Sequence, residues 1–210
     1  ASTSWETGYG DYVLRPDLAT MRHIPWLEKT VLVLGDVLDH HSHEPVSHSP
    51  RAMLKKQIAR LDAMGFDAMM ATELEFFLFE GDYRSLQKEK YANLVPLNGH
   101  NEDYCLFQTT KEESFLQPLR NHLVAAGIPI ECTKGEAEVG QQELNIRYAD
   151  ALACADNHTI SKQAIKEIAF QQGFSASFLP KWAADKVGSS SHVHMSLWKD
   201  GTPAFYDKEA

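Results

Sequence analysis

Apolar and polar residues alternate along three short segments of the chain, and this alternation predicts β-strands. The segments are residues 68–80, 141–148 and 192–198. Because successive side chains of a strand point to opposite faces, each segment places its polar residues on one side and its apolar residues on the other. Shorter apolar runs predict further strands at residues 30–38, 128–131 and 175–179.

Three other segments have apolar residues at the spacing of an α-helix. The first begins at Ser49-Pro50 and ends at Gly65, the second covers residues 111–126, and the third covers residues 150–172 and ends at Gly173. Strands and helices do not alternate strictly along the chain. The predicted fold class is therefore α+β, with a largely antiparallel sheet flanked by helices.

The polar faces of the three alternating strands carry the candidate chemistry. They present carboxylates and imidazoles, namely Glu73 and Glu75, then Glu143, then His192 and His194. Glu136 adds a carboxylate in the loop just before the second strand. If the strands pack as one sheet, these side chains converge on one cavity. The alternatives are a solvent-facing edge for the glutamates and hydrogen-bonded core positions for the histidines.

Four carboxylates with an imidazole favour Mg²⁺ or Mn²⁺ over a closed zinc site. Because one Mg²⁺ rarely takes that many protein carboxylates, two ions per site are expected. Two such ions suit phosphoryl transfer, in which they neutralise phosphate oxygens. The sequence contains neither GxxxxGK[ST] nor GxGxxG. A nucleotide would therefore be held by the sheet and the metals rather than by a glycine-rich loop.

Composition excludes several other classes of protein. The net charge of −9 argues against a nucleic-acid partner, which needs basic patches. No apolar run approaches the length of about 20 residues that a membrane helix requires. The three cysteines form no CxxC pair and indicate reduced thiols in a cytoplasmic protein. The histidine-rich stretch at residues 40–48 fits no recognised metal-ligand spacing and is interpreted as a solvated loop.

Three motifs, TELEFFLF, GEAEVGQQELNIRYADAL and GSSSHVHMSLW, resemble the glutamine synthetase superfamily. The segments YVLRPD and SPRAMLKKQIARL support the resemblance, which covers essentially the whole chain but only about half of a family member. It implies an incomplete glutamine synthetase-like fold. Residues 1–48 would be a remnant of an N-terminal β-grasp domain with a linker, and residues 49–210 the N-terminal part of the catalytic domain.

The resemblance also implies a role for individual residues. The metal ligands would be Glu75, Glu136 and Glu143 for a first ion, and Glu73 and His192 for a second. The nucleotide contacts would be Glu131, His194 and Ser196, and the backbone of Gly188 would contact the amino-acid substrate. Further ligands, phosphate-binding arginines and an aspartate from a neighbouring subunit fall outside the 210 residues. The chain alone is therefore expected to be inactive, and the full-length protein is expected to form a homo-oligomeric ring.

The implied reaction is ATP-dependent formation of an amide. The γ-carboxylate of glutamate is phosphorylated, and ammonia or an amine then displaces the phosphate. Residues 132–135 read CTKG where glutamine synthetases proper usually carry histidines, and Val187 stands where they usually carry Asn. These departures favour the γ-glutamyl-amine ligase branch, which uses ethanolamine, polyamines or small alkylamines. Glutamine synthetase proper and a non-catalytic relative are the alternatives.

Overall fold

The computed structural model of the chain describes residues 4–6 and 8–207. The chain divides into two compact units. The first contains the described residues up to Ile24, Lys29–Ala68 and the described residues from Ser196 onward. The second contains Pro25–Glu28 and Met69–Met195. No helix among the described residues has both the length and the apolar character needed to cross a membrane.

The first unit is built on an antiparallel pair, β1 (Tyr12–His23) and β2 (Val31–Asp39), with helix α1 (Pro50–Asp62) beside it. Arg51 of α1 ties the helix to both strands, because its guanidinium lies 2.8 Å from Asp17 and 2.6 Å from Asp36. Strand β1 contains Pro16, which is tolerated because β1 lies at the edge of the two-stranded sheet and has β2 as its one ladder partner among the described residues. The assignment of residues 1–48 to a β-grasp remnant stays a prediction.

The second unit contains the sheet that carries the candidate site. Its strands are β3 (Asp67–Glu80), β4 (Ile130–Gly135), β5 (Gln141–Asp150), β6 (Phe174–Ser177) and the first part of β7 (Ser191–Lys199). The order is β4-β5-β3-β7, and β6 also pairs with β3. The β3–β5, β3–β6 and β4–β5 pairs are antiparallel, which confirms a largely antiparallel sheet. The end of β7 pairs with a short β8 (Thr202–Pro203) in the first unit.

Four helices accompany this sheet, namely α2 (Tyr83–Lys88), α3 (Leu106–Lys111), α4 (Glu113–Ala125) and α5 (Ala151–Gln171). Helices α4 and α5 correspond to the predicted helices, whereas α2 and α3 are too short to give a periodic signal. Pro118 lies inside α4 and has no N–H to give to the carbonyl of Ser114. That carbonyl instead accepts a hydrogen bond of 3.1 Å from Gln172, which explains how the helix tolerates the proline.

The two faces of β3 have different surroundings. Leu74 and Phe76 belong to the buried core, where the ring of Phe76 lies 6.3 Å from that of Phe115 on α4. The opposite face begins with Glu73 and Glu75 and continues with Phe77 and Phe79, which pack against Trp182. One face of a single strand is therefore acidic in its first half and aromatic in its second half.

Candidate functional site

The register of the sheet brings the predicted carboxylates together. Glu75 of β3 lies directly opposite Glu143 of β5, and Glu73 lies opposite Asn145. Directly opposed residues of an antiparallel pair project to the same face of the sheet. The prediction that Glu73, Glu75 and Glu143 share one face therefore agrees with the observed pairing.

Glu73 is hydrogen-bonded to both histidines of β7. Its two oxygens lie 3.0 Å from His192 Nδ1 and 2.7 Å from His194 Nε2. Because a carboxylate only accepts, each imidazole donates its N–H. These bonds, that of His194 above all, hold the pKa of the Glu73 carboxyl below its usual range. Both histidines thus reach the same carboxylate, although different roles were predicted for them.

Glu73, Glu143 and His192 form a group that could hold a metal ion. Each offers one ligand atom, and these atoms lie within 4.8 Å of one another. Burial raises the pKa of Glu143, and the charges of Glu136, Glu73 and Glu75 raise it further against a hydrogen bond from Asn145. The carboxylates are thus crowded and poorly solvated, and a divalent cation would relieve that repulsion. The oxygen-rich donor set fits Mg²⁺ or Mn²⁺.

Glu75 is fixed by donors on two neighbouring segments. Its carboxylate accepts hydrogen bonds of 2.9 Å from Gln141 Nε2 and 2.9 Å from the backbone N–H of Ser190, and a third bond from the Ser190 hydroxyl. The side chain of Gln141 also donates to the carbonyl of Gly188 at 3.0 Å. These contacts hold Glu75 in one orientation on the shared face.

Glu136 lies outside the three-residue group and is held by a lysine. Lys134 Nζ lies 2.7 Å from Glu136 Oε1 and 2.7 Å from Asp103 Oδ1. The second oxygen of Glu136 accepts a hydrogen bond of 3.2 Å from the backbone N–H of Ala137. The charge of Glu136 nevertheless acts on Glu143, so the carboxylate belongs to the same neighbourhood.

The three remaining predicted residues differ in their surroundings. Glu131 is exposed at an irregularity of β4, where the pairing register shifts between Ile130 and Cys132. At Gly188, an added Cβ would lie 2.7 Å from the carbonyl oxygen of Pro180, which explains the need for glycine. Ser196 falls in the first unit, where its hydroxyl accepts a hydrogen bond of 2.9 Å from Trp198. Their predicted roles stay predictions.

Sequence reasoning missed the side chains that position the carboxylates, namely Asp103, Lys134, Gln141 and Ser190. Gln141 and Ser190 lie inside the recognised motifs, so the signal was present but not used. Asp103 lies in a polar stretch without periodicity, and nothing in the sequence distinguishes it from its neighbours. Its contact with Lys134 spans 31 positions of the chain and depends on the fold.

Residues 47–210 match the family described as glutamine synthetase, catalytic domain. The chain is 40% identical over 197 residues to a gamma-glutamylethanolamide synthetase, GlnA4, of Streptomyces coelicolor, covering 94% of the chain and 42% of that protein. It is 38% identical over 208 residues to a glutamate–isopropylamine ligase of a Pseudomonas species, covering 99% of the chain and 45% of that protein.

A solved structure of a GmaS/ADP complex shares the fold, with a TM-score of 0.83 and 26% sequence identity. The match covers 94% of the chain and 44% of the solved chain. The chain therefore spans less than half the length of each of these relatives.

Proposed function

Because the chain belongs to the glutamine synthetase family, we propose that the full-length protein is an ATP-dependent ligase that joins the γ-carboxyl group of glutamate to an amine. One observation carries the proposal in the structure. Glu73, Glu143 and His192 offer metal ligands within 4.8 Å of one another, on the face that also bears Glu75. Such a set suits two-ion phosphoryl transfer.

The residues present would divide into two ligand sets, with Glu143 of the first set close to Glu73 and His192 of the second. Glu75, Glu136 and Glu143 would hold one Mg²⁺ or Mn²⁺, and Glu73 and His192 would hold a second. Bound there, the ions would neutralise the oxygens of ATP during phosphorylation of the γ-carboxylate. Ser190 and Gln141 orient Glu75 for this role, and the two histidines orient Glu73.

The nucleotide and the amino acid would be bound by other predicted residues. We assign Glu131, His194 and Ser196 to the nucleotide and the backbone of Gly188 to glutamate. The ADP complex of the structural relative supports a nucleotide on this fold. The side chain of His194 is 63% exposed while one of its nitrogens donates to Glu73. This exposure supports the assignment of His194 to the nucleotide.

An organic amine is the proposed acceptor. The two curated relatives are named for ethanolamine and isopropylamine products or substrates. The CTKG sequence at residues 132–135 supports the same choice, because Lys134 there engages Glu136 directly. A lysine at this position places a positive charge beside the site, whereas a histidine-rich stretch is mostly neutral near pH 7.

Release of phosphate from ATP tests this proposal. The full-length protein would be assayed with Mg²⁺, glutamate and, in parallel, ethanolamine, isopropylamine, putrescine or ammonium, with an amine-free reaction as the blank. We expect release that requires glutamate and has a higher kcat/KM with an organic amine than with ammonium. Preference for ammonium would identify a glutamine synthetase proper. Absence of release despite tight Mn²⁺ binding would identify a non-catalytic relative.

A further inference from the structure

Lys134 is the cation nearest to a predicted metal ligand and is shared between two carboxylates. Its ammonium lies 2.7 Å from Glu136 and 2.7 Å from Asp103, and 4.7 Å from the centre of the Tyr104 ring. Burial works against its charged form, but the two hydrogen bonds outweigh burial and raise the pKa of Lys134. On β4 it stands directly opposite Glu143. The lysine is therefore a fixed positive charge at the edge of the candidate metal site.

We propose that Lys134 is a built-in competitor of the divalent ion for Glu136, and that Asp103 is the partner that retains the lysine when the ion takes that carboxylate. The inference rests on the proposed function, because it assumes that Glu136 is a metal ligand. It makes Lys134 a positioning residue that sets the metal affinity of the site.

The competition arises because each of the two carboxylate oxygens of Glu136 already accepts a hydrogen bond. Its Oε1 is bound to Lys134, and its Oε2 accepts from the N–H of Ala137. A divalent ion that binds this carboxylate has to displace or share one of these donors, and it is also repelled by the ammonium. At separations of about 5 Å this repulsion remains substantial in a partly buried site.

Asp103 makes the exchange feasible, because a lysine that loses Glu136 keeps one charged partner. A half-buried ammonium that lost both carboxylate partners would no longer be compensated for its partial burial. Asn101 holds Asp103 independently of the lysine. It accepts a hydrogen bond of 2.8 Å from the backbone N–H of Asp103 and donates one of 2.9 Å to the carbonyl of Ala137. The segment that carries Asp103 is thus tied to the segment that carries Glu136.

The test is a calorimetric Mn²⁺ titration of the 210-residue chain and its variants. Lys134→Met should tighten Mn²⁺ binding about tenfold, because the repulsion and the competition both disappear. Asp103→Asn should weaken binding about fivefold, because the lysine then has Glu136 as its remaining carboxylate partner. Lys134→Gln serves as a second neutral variant, and circular dichroism checks that each variant is folded.

Lys186→Met is the matched control. Lys186 also pairs with a glutamate of the same loop, since its ammonium lies 3.4 Å from Glu138, but Glu138 is not a predicted ligand. The same loss of one positive charge should change the Mn²⁺ Kd less than twofold. This variant measures the effect of net charge alone.

The double variant separates coupling from simple loss of charge. Without Lys134, Asp103→Asn should change the Mn²⁺ Kd less than twofold, because its effect acts through the lysine. The proposal is overturned if Lys134→Met and Lys134→Gln weaken binding, or if they match Lys186→Met. A wild-type chain that binds no Mn²⁺ would overturn the metal site itself, and with it this inference.

Discussion

Two neighbouring residues of β5, Gln142 and Glu143, face opposite sides of the sheet, and each side gathers acidic groups. On the site face, Glu143 lies among Glu73, Glu75 and Glu136. On the core face, Gln142 donates a hydrogen bond to Glu102, which is fully buried and feels the charge of Glu112. Both sides therefore place acidic groups where they are largely shielded from water.

The two sides relieve that charge differently. Site-face carboxylates have donors, as the bonds from Ser190 to Glu75 and from His194 to Glu73 show. On the core face, Glu102 Oε1 and Gln142 Oε1 have no hydrogen-bond partner among the described residues. Burial raises the pKa of Glu102 to about 7. Below that pH the carboxyl group is protonated, and its O–H is a hydrogen-bond donor among these unpaired acceptor oxygens. One face of the sheet gathers carboxylates that could hold a metal cation, and the other accommodates a proton.

Glu102→Gln tests whether the core face holds a proton, and it has the largest expected effect of the series. Between pH 4.5 and about 7 the folded chain keeps the proton of Glu102 that the unfolded chain loses, so the stability of the wild type falls as pH rises. The loss should reach about 3 kcal/mol above pH 7, since each unit of pKa shift is worth about 1.4 kcal/mol. Urea unfolding at pH 5, 6, 7 and 8 should show that the variant lacks this component.

Glu89→Gln is the control for that experiment, because Glu89 is exposed on the same segment of the chain. It should keep the wild-type slope of stability against pH. If the wild type and Glu102→Gln have the same slope of stability against pH, Glu102 is ionised in the folded chain. The contrast drawn between the two faces of the sheet would then be wrong.

Glu143→Gln tests the cation side. The amide keeps the shape of the side chain but removes the charge that a metal needs, so Mn²⁺ affinity should fall about 100-fold, or about 2.7 kcal/mol. The same change relieves repulsion from Glu136, Glu73 and Glu75, so the metal-free variant should be at least as stable as the wild type. Calorimetric titration and urea unfolding measure the two quantities. Reduced stability with unchanged Mn²⁺ binding would assign Glu143 a structural role.

His192→Ala and His194→Ala ask whether the two imidazoles on Glu73 are equivalent. His192 belongs to the group that could hold a metal ion, and His194 does not. His192→Ala should therefore raise the Mn²⁺ Kd about tenfold, the effect of losing one ligand bond of about 1.4 kcal/mol. His194→Ala should leave the Mn²⁺ Kd nearly unchanged and weaken ATP binding in the full-length protein. Identical Mn²⁺ titrations of the two variants would refute this division of roles.

Ser190→Ala should have the smallest effect of the series. It removes the hydroxyl bond to Glu75 but keeps the backbone N–H bond of 2.9 Å, so the cost should be about 1 kcal/mol in folding free energy. Thermal unfolding measures it, with Ser191→Ala on the same segment as the control. If Ser190→Ala lowered the Mn²⁺ affinity more than Glu143→Gln does, the orientation of Glu75 would be the main determinant of metal binding.

The sequence predicted the site face well because alternation is a local property. The motifs TELEF and QQELNIRY place Glu73, Glu75 and Glu143 by period alone, and the observed register agrees with that placement. The helices α4 and α5 were found within two residues at each end for the same reason. Pattern and structure agree where one residue type repeats at a fixed spacing.

The core face could not be predicted. Glu102 lies in the polar stretch NGHNEDY, which favours a solvated loop, yet it is completely buried. Its burial depends on Gly135, whose missing side chain leaves space: an added Cβ would lie 2.4 Å from that of Glu102. Contacts between residues so distant in the chain leave no periodic trace.

The acidic and aromatic halves of one face of β3 bear on how the chain tolerates changes of length. A one-residue insertion ahead of Glu73 that shifted the register would turn Glu73 and Glu75 toward the α4–α5 core and Phe76 toward the site. A two-residue shift would keep the facing but replace one of the two carboxylates, by Phe77 or by Ala71 according to its direction. Variation in length within β3 should therefore be selected against.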